Sequence, residues 1–407
     1  MTGRWLAILG LGEDGADGLA PAARALVEGA ELVVGGARHL ALADGLIRGE
    51  RLAWPSPIEA AVPAILARRG RPVAVLASGD PYLFGVGATL AAWVPASETL
   101  CLPVPSSLSL ACARLGWAGQ DCATVSVCGR PIEGLIPLLQ PGARVLALSA
   151  DAATPPALAD LLRRRGFGPS VLHVLEALGG PRERIRATTA DAYADADALD
   201  DVQALNLVGI EVVAGPGARV VPLACGLDDA LFEHDGQLTK REVRAVTLSA
   251  LAPRAGELLW DIGCGSGSVG IEWLLRHPAN RAIAVEARPD RAARAARNAA
   301  SLGVPRLRVV TGPAPDALAD LPPPDAAFLG GGAHLPGVIE TAWTALPPGG
   351  RLVANAVTVE TEAALIAARA RLGGTLSRLS VERLDALGAM HGYRPAMTVT
   401  QWLAVKP

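Results

Sequence analysis

Lysine is nearly missing: among 407 residues only Lys240 and Lys406 carry it. Arginine supplies the rest of the positive charge, and a formal net charge of -3 with a pI near 6.1 gives no general attraction to nucleic acid. The arginine and alanine bias reads as coding composition, and the RRR run at 163–165 as a solvated helix end. Cysteine is scarce too. Its six copies, at 101, 112, 122, 128, 225 and 264, form no CxxC pair, so they are expected as reduced, mostly buried thiols. The six histidines lack metal-ligand spacing, and no metal is expected. Long apolar runs are also missing. The longest charge-free stretch, 81–97, is broken by Gly85, Gly87 and Pro95, so no membrane partner is expected. A glycine-rich turn interrupts the first apolar run within about ten residues, which leaves no visible signal peptide and points to a cytoplasmic location.

What is present is glycine in pattern. Residues 258–273 read LLWDIGCGSGSVGIEW: an apolar strand, Asp261, then Gly263, Cys264, Gly265, Ser266 and Gly267 before a helix. Alternating glycines let a backbone turn sharply and approach a ligand that a Cβ would strike. A second strand, AIAV, ends in Glu286, placed to accept hydrogen bonds from both hydroxyls of a ribose. Each such charge-assisted bond contributes roughly 1.5 to 3 kcal/mol. Gly265, Gly267 and Gly270 also spell GxGxxG, so the glycines alone do not separate a nicotinamide enzyme from a methyltransferase. The acid two residues before the first glycine does. Asp261 would face a pyrophosphate unfavourably, whereas S-adenosylmethionine carries an ammonium and a sulfonium.

A chain of this length holds two or three domains. In the first two hundred residues WLAIL, ELVV, PVAVLA, TLCL, TVSV and RVLAL are strand candidates, separated by helices such as Pro21 to Glu28 and Pro155 to Arg165. From 171 to 213 the strands follow one another with little helix between, as in an antiparallel continuation. Pro, Gly and small polar residues at 214–236 mark a junction near residue 220, giving domains 1–220 and 221–407. The second opens on a helix, TKREVRAVTLSAL, and ends on a strand near TVTQWLAV after a hairpin through HGYRP.

Gly10, Gly12 and Gly15 spell GxGxxG again, but the next strand ends in Gly35 and Gly36 rather than an acid, against a dinucleotide reading. A GDP tripeptide at Gly79, Asp80 and Pro81, with Gly85 and Gly87 beyond, and the Ser106, Ser107 pair complete a pattern that resembles the tetrapyrrole (class III) methyltransferases over roughly residues 3 to 215. That resemblance implies a cofactor folded in a cleft between two α/β subdomains, with Gly10, Gly12, Gly79, Asp80 and Ser107 near it. Family sequences often have proline where Glu13 stands. Residues 226–407 resemble the small class I methyltransferases of cobalamin synthesis, on the GQLTK run at 236–240, the DIGCGSG loop, Glu286, GPAPDAL at 312–318, and Asp325 followed by FLGGG. The implied fold is α/β, a two-subdomain tetrapyrrole methyltransferase followed by a Rossmann-like class I domain. Thr239 and Ala314 join the implied cofactor contacts.

Together the two resemblances imply two methyl transfers from S-adenosylmethionine to reduced precorrin-6, at carbons 5 and 15, with loss of the ring C acetate carboxyl as carbon dioxide to give precorrin-8. Another tetrapyrrole, an RNA base, and less readily an NAD(P)-dependent oxidoreduction remain as alternatives. The Asn/Asp-Pro-Pro-aromatic clamp of amine methyltransferases is missing after Asp325, which suits a bulky carbon nucleophile. His334, Asn355, Thr358, Glu360 and His391 fall on or near loops after strands, where substrates bind in open α/β sheets, and each also reads as an ordinary loop residue. Arg38 and Arg130 could pair with substrate carboxylates. Self-association into a homo-oligomer is implied by the family.

Overall fold

The computed structural model describes residues 3–194 and 199–407. It divides into two compact units. One holds the chain up to Ile132 together with Gln140–Arg219, and the other holds Val220–Pro407 together with the short segment Glu133–Leu139.

The first unit contains two sheets. Strands β1 (Leu6–Leu11), β2 (Leu32–Gly35), β3 (Glu50–Ala53), β4 (Val73–Ser78) and β5 (Thr99–Leu102) are ordered β3-β2-β4-β1-β5 and all run parallel. Parallel strands are covered on both faces, so they read as continuous apolar runs. Along β1, Ala7, Leu9 and Leu11 pack on one side with Ala23 and Val27 of helix Pro21–Glu28, while Leu6 and Ile8 pack on the other with Val62, Ile65 and Leu90. The edge strand β3 reads ERLA, with no fully buried residue, and its sequence carries no strand signal. The second sheet takes β6 (Cys122–Ser126), β7 (Arg144–Leu148), β8 (Val171–Glu176), β9 (Arg184–Thr189) and β10 (Asn206–Glu211) in the order β6-β7-β10-β8-β9. Only β6 and β7 pair in parallel; the pairs among β7, β10, β8 and β9 are antiparallel, as the strand-rich stretch from 171 implied.

The helix near 155–165 spans Thr154–Arg164. Arg163 and Arg164 are exposed, but Arg165 is turned inward, against the expectation of a solvated run: it is buried and donates to the Arg219 carbonyl at 2.8 Å. Burial, with the Arg219 charge nearby, pulls its pKa down to about 10. The cysteines are free thiols, yet the expectation that most are buried fails. Cys264 is buried, Cys128 is exposed, and the other four are intermediate.

In the second unit β11 (Leu258–Ile262), β12 (Arg281–Glu286), β13 (Arg308–Thr311), β14 (Ala326–Leu329), β15 (Arg351–Ala356), β16 (Thr375–Leu379) and a last strand form one sheet; β17 (Glu382–Leu387) and β18 (Met390–Pro395) form a separate ribbon, and β19 (Val399–Val405) closes the chain. The order is β13-β12-β11-β14-β15-β19-β16, with β19 antiparallel to β15 and β16 and the other five parallel. The chain steps outward from β11 to β13, returns to β14 on the opposite side, and so leaves a switch point between β11 and β14. Ligands of open α/β sheets bind beyond the carboxyl ends of strands at such a reversal. The HGYRP segment is the second arm of the β17–β18 hairpin rather than its turn, which lies at Gly388. In the core Trp260, Trp273 and Trp402 are almost wholly buried, and each indole N–H donates to a carbonyl, of Pro322, Arg281 and Gly373 respectively, at 3.0 to 3.1 Å. Among the described residues no helix is long and apolar enough to cross a membrane.

Candidate active site

At the switch point of the second unit the turn after β11 is left-handed at all three alternating glycines, with φ of 69° at Gly263, 56° at Gly265 and 76° at Gly267. A Cβ on Gly263 would lie 2.9 Å from the Gly331 amide nitrogen and 3.1 Å from its Cα, so the loops after β11 and β14 meet backbone against backbone. Beside them, Glu286 at the end of β12 is 6 % exposed. Its Oε2 accepts the Gly265 N–H at 2.9 Å and its Oε1 the Arg288 N–H at 3.0 Å, which fixes the carboxylate while leaving lone pairs on both oxygens.

These loops border a cavity of about 560 Å³, within the range of small-molecule sites. Gly263, Cys264, Gly265 and Glu286 line it, as do Thr239 from the segment before helix Arg241–Leu251 and Ala314 from the loop after β13. The Cys264 thiol is pushed well above its ordinary pKa by burial, with the Asp261 and Glu286 carboxylates adding to the effect, so it stays neutral. Ser266 and Gly267 stand behind the wall instead. Ser266 is 1 % exposed, and its carbonyl accepts from Asn298. A Cβ on Gly267 would lie 2.9 Å from the Ala295 Cβ, so glycine there lets helices Ser268–Arg276 and Pro289–Ser301 approach.

The catalytic candidates are not brought together. Asn355 lines the cavity, but its Nδ2 donates to Thr247 Oγ1 at 2.9 Å and its Oδ1 accepts from Gln401 at 3.0 Å. Thr358 caps helix Val359–Leu372, accepting the Thr361 N–H, and Glu360 lies exposed in its first turn. His334, exposed, has its Nδ1 3.3 Å from Thr361 Oγ1, and His391 is exposed on β18. None of these four borders the cavity.

In the first unit the turns after β1, β4 and β5 converge. The Gly79 N–H donates to the Leu11 carbonyl at 3.2 Å, and the Gly79 carbonyl accepts the Val104 N–H at 3.1 Å. A Cβ on Gly10 would fall 2.0 Å from the Gly79 oxygen, and one on Gly79, at φ 54°, would fall 2.8 Å from the Ser106 Cα. Gly10 therefore makes its closest approach to another loop. Gly12 follows it, with the Asp14 carboxylate folded into the space its missing Cβ leaves. Asp80 is half-buried and accepts the Tyr82 N–H at 2.9 Å. The two serines have different jobs: Ser106 is buried and caps helix Ser107–Leu115 by accepting the Ser109 N–H at 3.1 Å, while Ser107 is exposed in its first turn. Tyr82, Leu83 and Phe84 stand exposed beside these turns, and the Arg130 guanidinium lies 5.6 Å from the Phe84 ring centroid. Arg38 is occupied by Glu13, by Ser78 Oγ at 2.8 Å and by His39 Nε2 at 2.8 Å. Burial and the Arg38 charge pull the His39 pKa down to about 4, so the ring is neutral at physiological pH.

Residues 6–194 match the family of tetrapyrrole (corrin/porphyrin) methylases and residues 230–406 the precorrin methyltransferase domain. Over 398 residues, 98% of this chain and 95% of the relative, the sequence is 58% identical to a precorrin-6Y C(5,15)-methyltransferase [decarboxylating] of Sinorhizobium sp. The chain belongs to the precorrin-6Y C(5,15)-methyltransferase family. A member from Mycobacterium tuberculosis (strain ATCC 25618 / H37Rv) is 42% identical over 400 residues, 98% of this chain and 99% of that one. A probable cobalt-precorrin-6B C(15)-methyltransferase (decarboxylating) of Pyrobaculum calidifontis is 41% identical over 153 residues, 36% of this chain and 78% of its own.

For this methyltransferase the role read into Asp261 needs correcting. Its side chain is wholly buried and does not border the cavity, and its Oδ2 accepts the Gly270 N–H at 2.8 Å, so it holds the start of helix Ser268–Arg276 rather than facing the cavity. Burial pushes its pKa from 3.8 up to about 7, with the Glu286 charge adding and the Gly270 bond opposing. Between those values the folded chain binds a proton that the unfolded chain has lost, so stability falls as pH rises through this window and stays lowered above it. Asp261→Asn keeps an acceptor for Gly270. It is expected to flatten that decline and to unfold at a higher temperature than the parent at about pH 8. Thermal unfolding of the full chain across the window checks this, and an unchanged slope would reject it.

Glu242, Arg291, Arg383, Val381 and Met397 also border the cavity and were not legible as site residues. They lie outside any glycine motif, and the fold alone gathers them.

Proposed function

We propose that the chain methylates reduced precorrin-6 at carbons 5 and 15 and releases the ring C acetate carboxyl as carbon dioxide, giving precorrin-8, with S-adenosylmethionine as methyl donor in both halves. The first half is assigned to carbon 5 and the second to carbon 15 and the decarboxylation. The observation that carries the reading is the Gly263 and Gly265 cradle beside the anchored Glu286 carboxylate, in a chain alignable along nearly its whole length with precorrin-6Y C(5,15)-methyltransferases. A shorter relative that matches 36% of this chain is named for carbon 15 and decarboxylation alone, which supports carrying the two methylations on separate segments.

When bound, S-adenosylmethionine supplies an electrophilic methyl group on sulfur. The chain does the rest by placement. Gly263 and Gly265 would admit the ligand against the backbone, Glu286 would accept from its ribose hydroxyls, and Thr239 and Ala314 would close the sides, all five lining the cavity. Gly330, Gly331 and Gly332 line the same cavity, where their lack of side chains would leave room for a macrocycle. A reduced tetrapyrrole has electron-rich enamine carbons, so holding one in line with the methyl supplies much of the acceleration. Once carbon 15 is alkylated, the adjacent iminium accepts the electron pair of the breaking C–C bond as carbon dioxide departs. No side-chain base is required. In the first half, Gly10, Gly12, Gly79, Asp80 and Ser107 shape or border the convergent turns at which the donor is placed.

Incubating the full chain with reduced precorrin-6 and S-adenosylmethionine tests the reading by mass spectrometry. Gain of two methyl groups with loss of one carbon dioxide is the expected result, and an unaltered tetrapyrrole overturns it. Glu286→Ala removes the ribose acceptors, and the second site is expected to bind S-adenosylhomocysteine about ten- to a hundredfold more weakly by calorimetry. Unchanged affinity would remove the assignment.

A further inference from the structure

Three basic side chains border the second unit's cavity among the described residues: Lys240, Arg291 and Arg383. Arg291 is bound to Asp235 at 2.9 Å, an acid that Arg294 also holds, and Lys240 stands 3.9 Å from Asp229. Arg383 differs because its partner, Glu242, is itself part of the cavity wall. The pair joins β17 to the first turn of helix Arg241–Leu251, and both side chains are nearly half exposed, so water can replace either partner at little cost. Glu242 is favoured where it stands even without Arg383, since a helix N-terminus stabilises a carboxylate.

The topology gives the cavity two sides. Glu286 ends β12 and Ala314 follows β13 toward one edge of the sheet, and Asn355, Leu379 and Val399 belong to β15, β16 and β19 toward the other. On this second side Val357, Val381, Ala396 and Met397 make an apolar shelf, with Val357 51% and Met397 73% exposed. An apolar shelf with one arginine at its rim is complementary to a flat macrocycle edged with carboxylates.

We propose that Arg383 is the seat for a peripheral carboxylate of the tetrapyrrole, and that Glu242 is a resident carboxylate which the substrate displaces from it. This deepens the assignment of carbon 15 chemistry to the second half and rests on that reading. Glu242 then competes with substrate, which discriminates against ligands with too few carboxylates to take the arginine from it.

The test uses the full chain and reduced precorrin-6, with carbon 15 methylation followed kinetically and equilibrium binding of the same tetrapyrrole measured alongside. Arg383→Leu is expected to raise KM and the binding constant Kd about ten- to a hundredfold with kcat little changed. Arg383→Lys recovers part of the loss, and S-adenosylhomocysteine affinity stays as in the parent. Glu242→Gln is expected to lower KM about two- to fivefold. Arg383→Leu with unchanged KM and Kd, or Glu242→Gln weakening the tetrapyrrole as Arg383→Leu does, overturns the seat. A parent chain that binds the tetrapyrrole through Arg383 without turning it over sinks the proposed reaction and keeps the seat. Turnover with Arg383-independent binding does the reverse.

Discussion

Gly263→Ala is expected to abolish carbon 15 methylation and carbon dioxide release while carbon 5 methylation continues. Two costs coincide at this position. The backbone is held at φ 69°, which an L side chain adopts with strain of about 1 to 3 kcal/mol. The new methyl would also lie 2.9 Å from the Gly331 nitrogen and 3.0 Å from its oxygen, and a backbone cannot swing aside as a side chain can. Relief requires the turns after β11 and β14 to separate, which displaces Gly265 from the Glu286 carboxylate that it donates to at 2.9 Å. Gly331→Ala is the control on the facing loop, because a Cβ there meets no atom within 4 Å. Calorimetry with S-adenosylhomocysteine is expected to count one site in Gly263→Ala against two in the parent and in Gly331→Ala. Retained binding at both sites of Gly263→Ala would mean that the glycine serves folding alone.

Much of this site was legible because its chemistry is local. Gly263, Gly265 and Glu286 are set by strand ends that a sequence displays as apolar runs stopping at glycine or acid, and all three border the cavity. Strands β1, β2 and β4 were legible for the same reason, each being buried along most or all of its length. Where burial is one-sided or missing the signal goes: β3 is a partly exposed edge, and β17 and β18 carry scarcely any buried surface. Spacing also says nothing about which way a side chain points. Ser266 and Asp261 sit within the motif but turn into the core, and Arg165 continues a run of exposed arginines yet packs inward. Arg383 and Glu242 are 141 residues apart, a separation at which only the assembled sheet and its hairpin bring two charges to one cavity.

Glu272→Ala is expected to destabilise the second unit by about 3 to 5 kcal/mol, the cost of taking one member out of a buried ion pair and leaving Asp229, part-exposed, as the remaining carboxylate beside Arg244. Neither Glu272 nor Arg244 is exposed at all, and the Arg244 Nε donates to Glu272 Oε1. The carboxylate does more than neutralise. It accepts the Gly226 N–H at 2.7 Å and the Leu227 N–H at 2.9 Å, while Arg244 donates to the Leu227 and Thr239 carbonyls, pairs with Asp229 at 3.1 Å and lies 4.7 Å from the Phe232 ring centroid. The segment that carries Thr239 and Lys240 to the cavity is thus tied down at both ends of a buried ion pair. Thermal unfolding of the full chain is expected to show the second unit's transition lowered by roughly 10 °C. Replacing the pair together, as Arg244→Met with Glu272→Leu, removes the under-compensated buried guanidinium and is expected to restore much of the stability, as apolar replacements of buried pairs often do. It does not restore the bonds to residues 226, 227 and 239, so S-adenosylhomocysteine should still bind more weakly at the second site. Parental affinity in the double variant would show that the ion pair holds the fold and has no part in placing the cavity wall.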